Sequence, residues 1–213
     1  MVDPSHLRTR LLLERVRGGE REAVGALYDL HVERVYAYLR SIGSGADAED
    51  LTHEVFEALL RAAGQGRLPR PDAFRAWLFT VARNLALDHR RKHGRVDVVA
   101  PAELARRLSR RDGQSEALRA IFDPDLARAI RRLPSLPREV VLLRYVADLD
   151  LAGIAAVIGT SEDSVKQAHR RALAALRDRA ARGDGRRRRP LAMSRLEGRD
   201  RAPRRRCWNR AAR

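Results

Sequence analysis

Cysteine is nearly absent from this chain: Cys207 is the only one in 213 residues. No intrachain disulfide and no cysteine-based zinc site can therefore form. Long apolar runs are missing too. Leu11-Leu12-Leu13 lies between Arg10 and Glu14, and no segment approaches the ~18 uninterrupted apolar residues of a membrane span or shows the pattern of a signal peptide. The expected location is cytoplasmic, with no membrane insertion. Alternating apolar and polar residues appear nowhere, so strands are not expected. The six histidines and the acids make no metal-ligand or triad spacing, which leaves no catalytic residue, metal or cofactor to assign. Lysine is scarce: Lys92 and Lys166 are the two among 44 basic residues. Such a skew fits the codon bias of a GC-rich genome, so arginine by itself carries little functional weight.

Charge and helix periodicity are what the chain does have. Lys+Arg 44 against Asp+Glu 28 gives a formal net charge of +16, and a chain this basic is expected to meet a polyanion. The fold class read from the pattern is all-α: two small helical domains joined by a flexible linker, the second holding a helix-turn-helix. Within 20–93, Val24, Leu27, Tyr28, Val35, Tyr38, Leu39 and Ile42 recur at three- and four-residue spacing, the period of one helix face. Ser41 to Ala46 breaks that helix. A second helix begins near Asp47, a candidate cap, and carries Leu51, Val55, Leu59 and Ala62. Gly64 to Pro71 holds two Gly and two Pro and ends it. A third helix, from Asp72, carries Phe74, Trp77, Leu78, Val81, Leu85 and His89, and finishes in Arg90-Arg91-Lys92. A Trp at that spacing is read as core.

Residues 1–19 read as a lead-in and 94–124 as a linker, with a short helix around Ala102–Leu108. Residues 125–182 are helical again: Leu126, Ala129, Ile130 and Leu133, then Val140 to Val146 behind Pro137, then Leu151–Ile158, then a last helix with Val165, Ala172, Leu173 and Leu176. Residues 183–213 have no apolar periodicity and read as a basic, disordered tail.

The stretch Leu151–Leu173 fits a helix-turn-helix. Ala155 is small where two helices would cross, Gly159 tolerates the turn, and Val165 packs the second helix on the first. Ile154, Ile158 and Ala168 fill the interior. Asp150 and Ser161 are candidate caps, with Glu162 and Asp163 beside the positive end of the last helix. Its outer face offers Ser164, Lys166, Gln167, Arg170 and Arg171. In such motifs the second helix enters the major groove, where these side chains hold bases or phosphate. An ordinary helical hairpin with a solvated basic face is the competing reading.

The first domain segregates its charge. Tyr28–Glu57 has a net of −5, whereas Arg61–Lys92 has a net of +6. Such a split suits two partners, one basic and one nucleic acid, although two solvated polar faces would look alike. More than half of the +16 lies in the tail, which carries +9 over 183–213.

Three long motifs in order resemble a known family. Asp47-Ala48-Glu49-Asp50-Leu51-Thr52-His53-Glu54-Val55-Phe56 resembles the polymerase-binding helix of bacterial sigma factors. The run from Phe74 to Asp88 resembles their promoter −10 helix. Leu133-Pro134-Ser135-Leu136-Pro137-Arg138-Glu139-Val140-Val141-Leu142-Leu143-Arg144-Tyr145, followed by the helix-turn-helix, is similar to their −35-binding domain. With only these two domains, the chain resembles the extracytoplasmic-function group over about residues 20–180. The resemblance implies that Asp47, Glu49, Asp50 and Glu54, with Leu51, Val55 and Phe56, dock on the clamp helices of the polymerase largest subunit, and that the second domain meets the flap of the second-largest subunit. It implies that Arg83, Asn84, Asp88 and Arg91 line one side of the third helix against the −10 element. The Gly64–Pro71 loop lies where the family holds a flipped-out base, with a plain surface connection as the competing reading. Trp77 and Phe79 are the candidates to stack on bases, with core as the preferred reading of Trp77. Ser164, Lys166, Gln167, Arg170 and Arg171 would read the −35 element. An anti-sigma factor is a partner that the family often has. His53 stands in the polymerase-binding helix where the family usually has Gln. Ala152, Gly153 and the run Gln167-Ala168-His169 also depart from the family pattern, which bears on the −35 preference. The alternative function is a stand-alone helix-turn-helix regulator.

Overall fold

The computed structural model describes residues 4–44, 47–93 and 124–183. Helices α1 (Pro4–Arg17), α2 (Glu22–Leu39), α3 (Ala48–Gly64) and α4 (Phe74–His93) form the first half. A five-residue π-helical turn, Arg40–Ser44, closes α2. The second half comprises α5 (Pro124–Arg131), α6 (Ser135–Tyr145), α7 (Leu151–Ile158) and α8 (Glu162–Gly183). No strand occurs among the described residues, and the all-α expectation holds. The expected linker with its Ala102–Leu108 helix, and the tail beyond Gly183, lie outside the described residues.

Each helix exists because one face can be buried. Leu27, Val35 and Tyr38 of α2 are buried, as are Leu51, Val55, Phe56 and Leu59 of α3, at the three- and four-residue steps that put side chains on one face. Tyr28 and Phe56 meet edge to face at 4.6 Å, which fixes α2 against α3. Asp47 precedes α3 but makes no side-chain cap bond. Its carboxylate instead faces His89 Nε2 at 2.9 Å, near the end of α4, so the expected cap is a tie between helices.

The lead-in is a helix. Leu13 is fully buried, Leu12 and Thr9 nearly so, and α1 packs along α2. The Thr9 hydroxyl donates to the Ser5 carbonyl at 2.8 Å, so its oxygen accepts from His31 Nε2 at 3.1 Å. The His31 Nδ1 lone pair is buried without a partner among the described residues. A proton there would be an unpaired buried charge. Burial, with Arg75, Arg34 and His6 adding like charge, lowers the His31 pKa to about 3.

Helix α4 faces two ways. Phe74 and Leu78 are buried, and so are Phe79, Ala82 and Ala86 on the adjoining face; the helix also packs against α7 of the second half. Trp77, beside Phe74 at 6.0 Å, is partly buried against the core. Phe79 is not free to stack on a base: it is fully buried and meets Tyr38 edge to face at 5.3 Å.

Candidate polymerase and nucleic-acid interfaces

Helix α3 sorts its residues by face. Leu51, Val55 and Phe56 point into the core and build the underside of the helix, so they offer no docking surface in this conformation. Glu49, Asp50, His53, Glu54 and Glu57 are exposed on the opposite side. Glu57 pairs with Arg61 at 3.4 Å. The result is an acidic stripe about two turns long held on a rigid apolar base.

The four −10 candidates do not share one face. Successive residues sit about 100° apart round an α-helix. Asn84, Asp88 and Arg91 therefore cluster on one side, while Arg83 turns away. Asn84 and Arg91 are exposed, and Arg91 donates to Asp88. Arg83 Nε instead donates to Glu139 Oε1 of α6 at 2.6 Å. The same oxygen accepts from the Tyr38 hydroxyl at 3.1 Å, and burial together with the Glu139 charge raises the Tyr38 pKa well above its usual value.

The helix-turn-helix is built as its sequence suggests. Asp150 caps α7 by accepting from the Gly153 amide at 2.8 Å. A Cβ at Gly153 would stand 2.9 Å from that carboxylate oxygen, so glycine is what lets the cap close. The departure from the family pattern at Gly153 removes the reciprocal half of a capping box and keeps the forward half. Gly159 ends α7 at φ 77° and ψ 43°, a left-handed conformation that favours glycine. The Ser161 hydroxyl accepts from the Ser164 amide at 3.2 Å and caps α8. Val165 is fully buried, and Ala155 and Ala168 lie at the crossing. His169, another departure, is buried and sits 3.1 Å from the Tyr145 hydroxyl, locking α8 to α6.

Outward, α8 presents Gln167, Arg170 and Arg171, all exposed. Ser164 is partly engaged, its hydroxyl 2.9 Å from that of Ser161. Lys166 lies 3.2 Å from both Glu162 and Asp163, and hydrogen bonding to those two raises its pKa. Its charge is therefore partly answered within the helix, whereas Arg170 and Arg171 are the more exposed charges of that face.

Residues that sequence reading missed lie where the halves meet. Arg75, nearly fully buried, donates to Asp148 at 2.8 Å, to His6 Nε2 at 2.9 Å and to the Ser5 hydroxyl at 2.6 Å. Arg34 donates to the Val146 carbonyl at 2.9 Å. The one available signal was an arginine set between Phe74 and Leu78 on an inward face. Its partner lies 73 positions away. Elsewhere Arg17 donates to the Pro69 carbonyl at 2.6 Å, bracing the α3–α4 loop. Among the described residues no group of three or more His, Cys, Asp or Glu is placed to hold a metal, and no helix is long and apolar enough to cross a membrane.

An acidic helix, a second helix with an open polar face and a capped helix-turn-helix, in that order, are the features of a two-part DNA-binding protein, and comparison with known proteins says of which class. Residues 27–96 match the family model for sigma-70 region 2 and residues 124–176 that for sigma-70 region 4. The chain is 36% identical to the ECF RNA polymerase sigma factor BldN of Streptomyces coelicolor, over 82% of this chain and 67% of that protein. It is 35% identical to the ECF RNA polymerase sigma factor SigL of Mycobacterium tuberculosis, over 78% of this chain and 94% of that one. Among solved structures it resembles CnrH in complex with the cytosolic domain of CnrY, with a TM-score of 0.57, 27% identity, and coverage of 84% of this chain and 99% of that chain. The chain belongs to the extracytoplasmic-function sigma factors of RNA polymerase, and it is a sigma factor for transcription initiation rather than a stand-alone regulator.

Proposed function

We propose that the protein binds core RNA polymerase through the exposed acids of α3 and reads promoter DNA through α4 and α8. The observation that carries this is the opposition of two outer faces: Glu49, Asp50 and Glu54 on α3, against Gln167, Arg170 and Arg171 on α8, each exposed on a helix whose other face is core. Exposed acids suit the basic clamp helices of the polymerase largest subunit, giving steering by charge. Asp47 supports that helix through His89 more than it offers a free charge. Asn84, Asp88 and Arg91 face the −10 element, joined by Arg83 when its pairing with Glu139 is released.

The second domain, 125–182, reads the −35 element and meets the flap of the second-largest subunit. Each contact is weak alone, and tethering two on one chain raises their joint strength. The first domain spans 20–93, preceded by α1. The protein is not an enzyme: bond making belongs to the polymerase. It works in the cytoplasm, where its promoters are. An anti-sigma factor, a partner that the family often has, is a further partner in this reading.

The test mixes the full chain with purified core polymerase and genomic fragments. Stable association with core and discrete promoter-specific transcripts are expected. Failure to associate with core would sink this reading.

A further inference from the structure

The loop that leads into α4 is held from outside, by α1. Residues 65–73 join α3 to α4. Pro69 and Pro71 have no amide to donate, so the loop has fewer backbone bonds available to hold it. Its entry is fixed. The Gly66 amide donates to the Ala63 carbonyl at 3.1 Å and the Arg67 amide to the Ala62 carbonyl at 2.8 Å, with Gly66 at φ 64°, the bond pattern of a glycine-closed helix end. Its exit is fixed by the Ala73 amide, which donates to the Arg70 carbonyl at 3.0 Å. The Leu68 and Pro69 carbonyls lie between these two turns, and there Arg17 arrives. Its Nη2 donates to the Pro69 carbonyl at 2.6 Å and lies 3.5 Å from the Leu68 carbonyl.

Arg17 is used differently from its neighbours. Arg10 and Arg15 pair with Glu14 and Glu20 at 3.2 Å and 2.7 Å, acids close by in the chain. Arg17 reaches 52 positions along it. Its own backbone is held: Leu12 and Leu13 are buried in the core, and the Glu20 amide closes the helix end on the Arg15 carbonyl at 3.1 Å. The helix dipole accounts for a base in the last turn of α1, but not for a bond from that base to another element.

The loop carries exposed charge where α4 begins. Arg67 and Arg70 face solvent. Arg70 stands 3.7 Å from Asp72, with side chains 88% and 77% exposed, a pairing too open to hold the loop. From the start of α4 to Asn84 is about 15 Å at 1.5 Å per residue, roughly four nucleotides of one strand at 3.4 Å each.

Resting on the proposed function, in which α4 lies along the −10 element, we propose that Arg17 is a positioning residue for promoter recognition. By holding the Leu68 and Pro69 carbonyls it sets the shape in which the loop meets the −10 strand, and thereby the base preference there, without touching DNA itself.

The test uses the full chain and Arg17→Met, which keeps the aliphatic stem and removes the donors. Hydrogen exchange on the free protein reads the loop. Binding, with core polymerase, to promoter fragments randomised over the −10 and −35 elements reads the preference. The Arg67 and Ala73 amides, bonded at the two ends of the loop, should exchange faster by about tenfold, the worth of one charge-assisted hydrogen bond. Discrimination at one or two adjacent −10 positions should fall by about tenfold, with the −35 preference, core binding and thermal melt unchanged. Unchanged exchange overturns the brace. Faster exchange with an unchanged −10 preference overturns the positioning role. Weaker binding to every sequence with a shallower salt slope makes Arg17 a phosphate contact and overturns it too. Preference lost at both elements, with a lower melting temperature, reduces Arg17 to general stability. A wild type with no base preference in the presence of core refutes the proposed function instead, while the exchange result still decides the brace.

Discussion

Helices α3 and α8 are built alike and charged oppositely. Each buries an apolar stripe, Leu51, Val55, Phe56 and Leu59 in one and Val165, Ala168, Ala172 and Leu176 in the other. Each turns its polar residues to solvent, acids in α3 and bases in α8. The inner stripe holds the helix in place, because burying apolar area is the main favourable term in folding. The outer stripe decides who comes near, because exposed charge contributes little to stability and much to encounter. Under the proposed function, one architecture serves a basic protein surface at one end and a nucleic acid at the other. Helix α4 is the intermediate case, with one flank open and the other given to the second half.

The comparison breaks most visibly at Phe56. As an inner-face residue it should cost about 3–5 kcal/mol of stability when cut to alanine, read by urea denaturation. A well-folded Phe56→Ala chain with weak core binding would make it a docking residue after all. Leu13→Ala in α1 should cost about 2–5 kcal/mol by the same measurement, and a loss under ~1 kcal/mol would detach α1 from the core.

Acidity gives the next effect. His31 stays neutral in the folded chain down to about pH 3, whereas the unfolded histidine takes up its proton near 6.5. Between those values the unfolded state holds more protons, so stability is complete above pH 6.5 and falls as pH drops toward 3. The folding equilibrium should lose up to about tenfold per pH unit in that window. His31→Leu should flatten the slope, and an equally steep slope in the variant would assign it to other groups.

Gly159→Ala should cost about 1 kcal/mol, because φ 77° strains any side chain; a thermal melt checks it. The smallest effect is on the outer face. Arg171→Ala should weaken DNA binding across all sequences and reduce the salt slope by about one counterion, with stability unchanged. An effect confined to one base position would make it a base reader.

Much of this was legible in the sequence. The helix-turn-helix was the plainest, since Asp150, Gly159 and Ser161 act through local backbone geometry that a few neighbouring residues specify. The acidic and basic faces could be read from spacing, but the buried roles of Val55 and Phe56 could not, because a docking strip and a core stripe have the same period. Helix α1 was missed: Thr9, Leu12, Leu13 and Val16 carry the right spacing, but Leu11 and four arginines obscure it. The Arg75–Asp148 and Arg83–Glu139 pairs join residues 73 and 56 positions apart, and such contacts leave no local pattern. Phe79 is likewise buried against Tyr38 of α2, a residue distant in the chain.

Two variants measured side by side test the central claim that one frame carries two faces for two partners. Asp50→Arg with Glu54→Arg reverses the α3 stripe, and Arg170→Ala with Arg171→Ala empties the α8 face. Core polymerase binding and binding to a promoter fragment in the presence of core are read for both. The α3 variant should lose core binding by about a hundredfold or more, as juxtaposed like charges cost several kcal/mol, with helical content kept. The α8 variant should bind core as wild type does and lose promoter binding. Core binding unaffected by the α3 reversal, or abolished by the α8 truncation, would contradict the assignment of the faces.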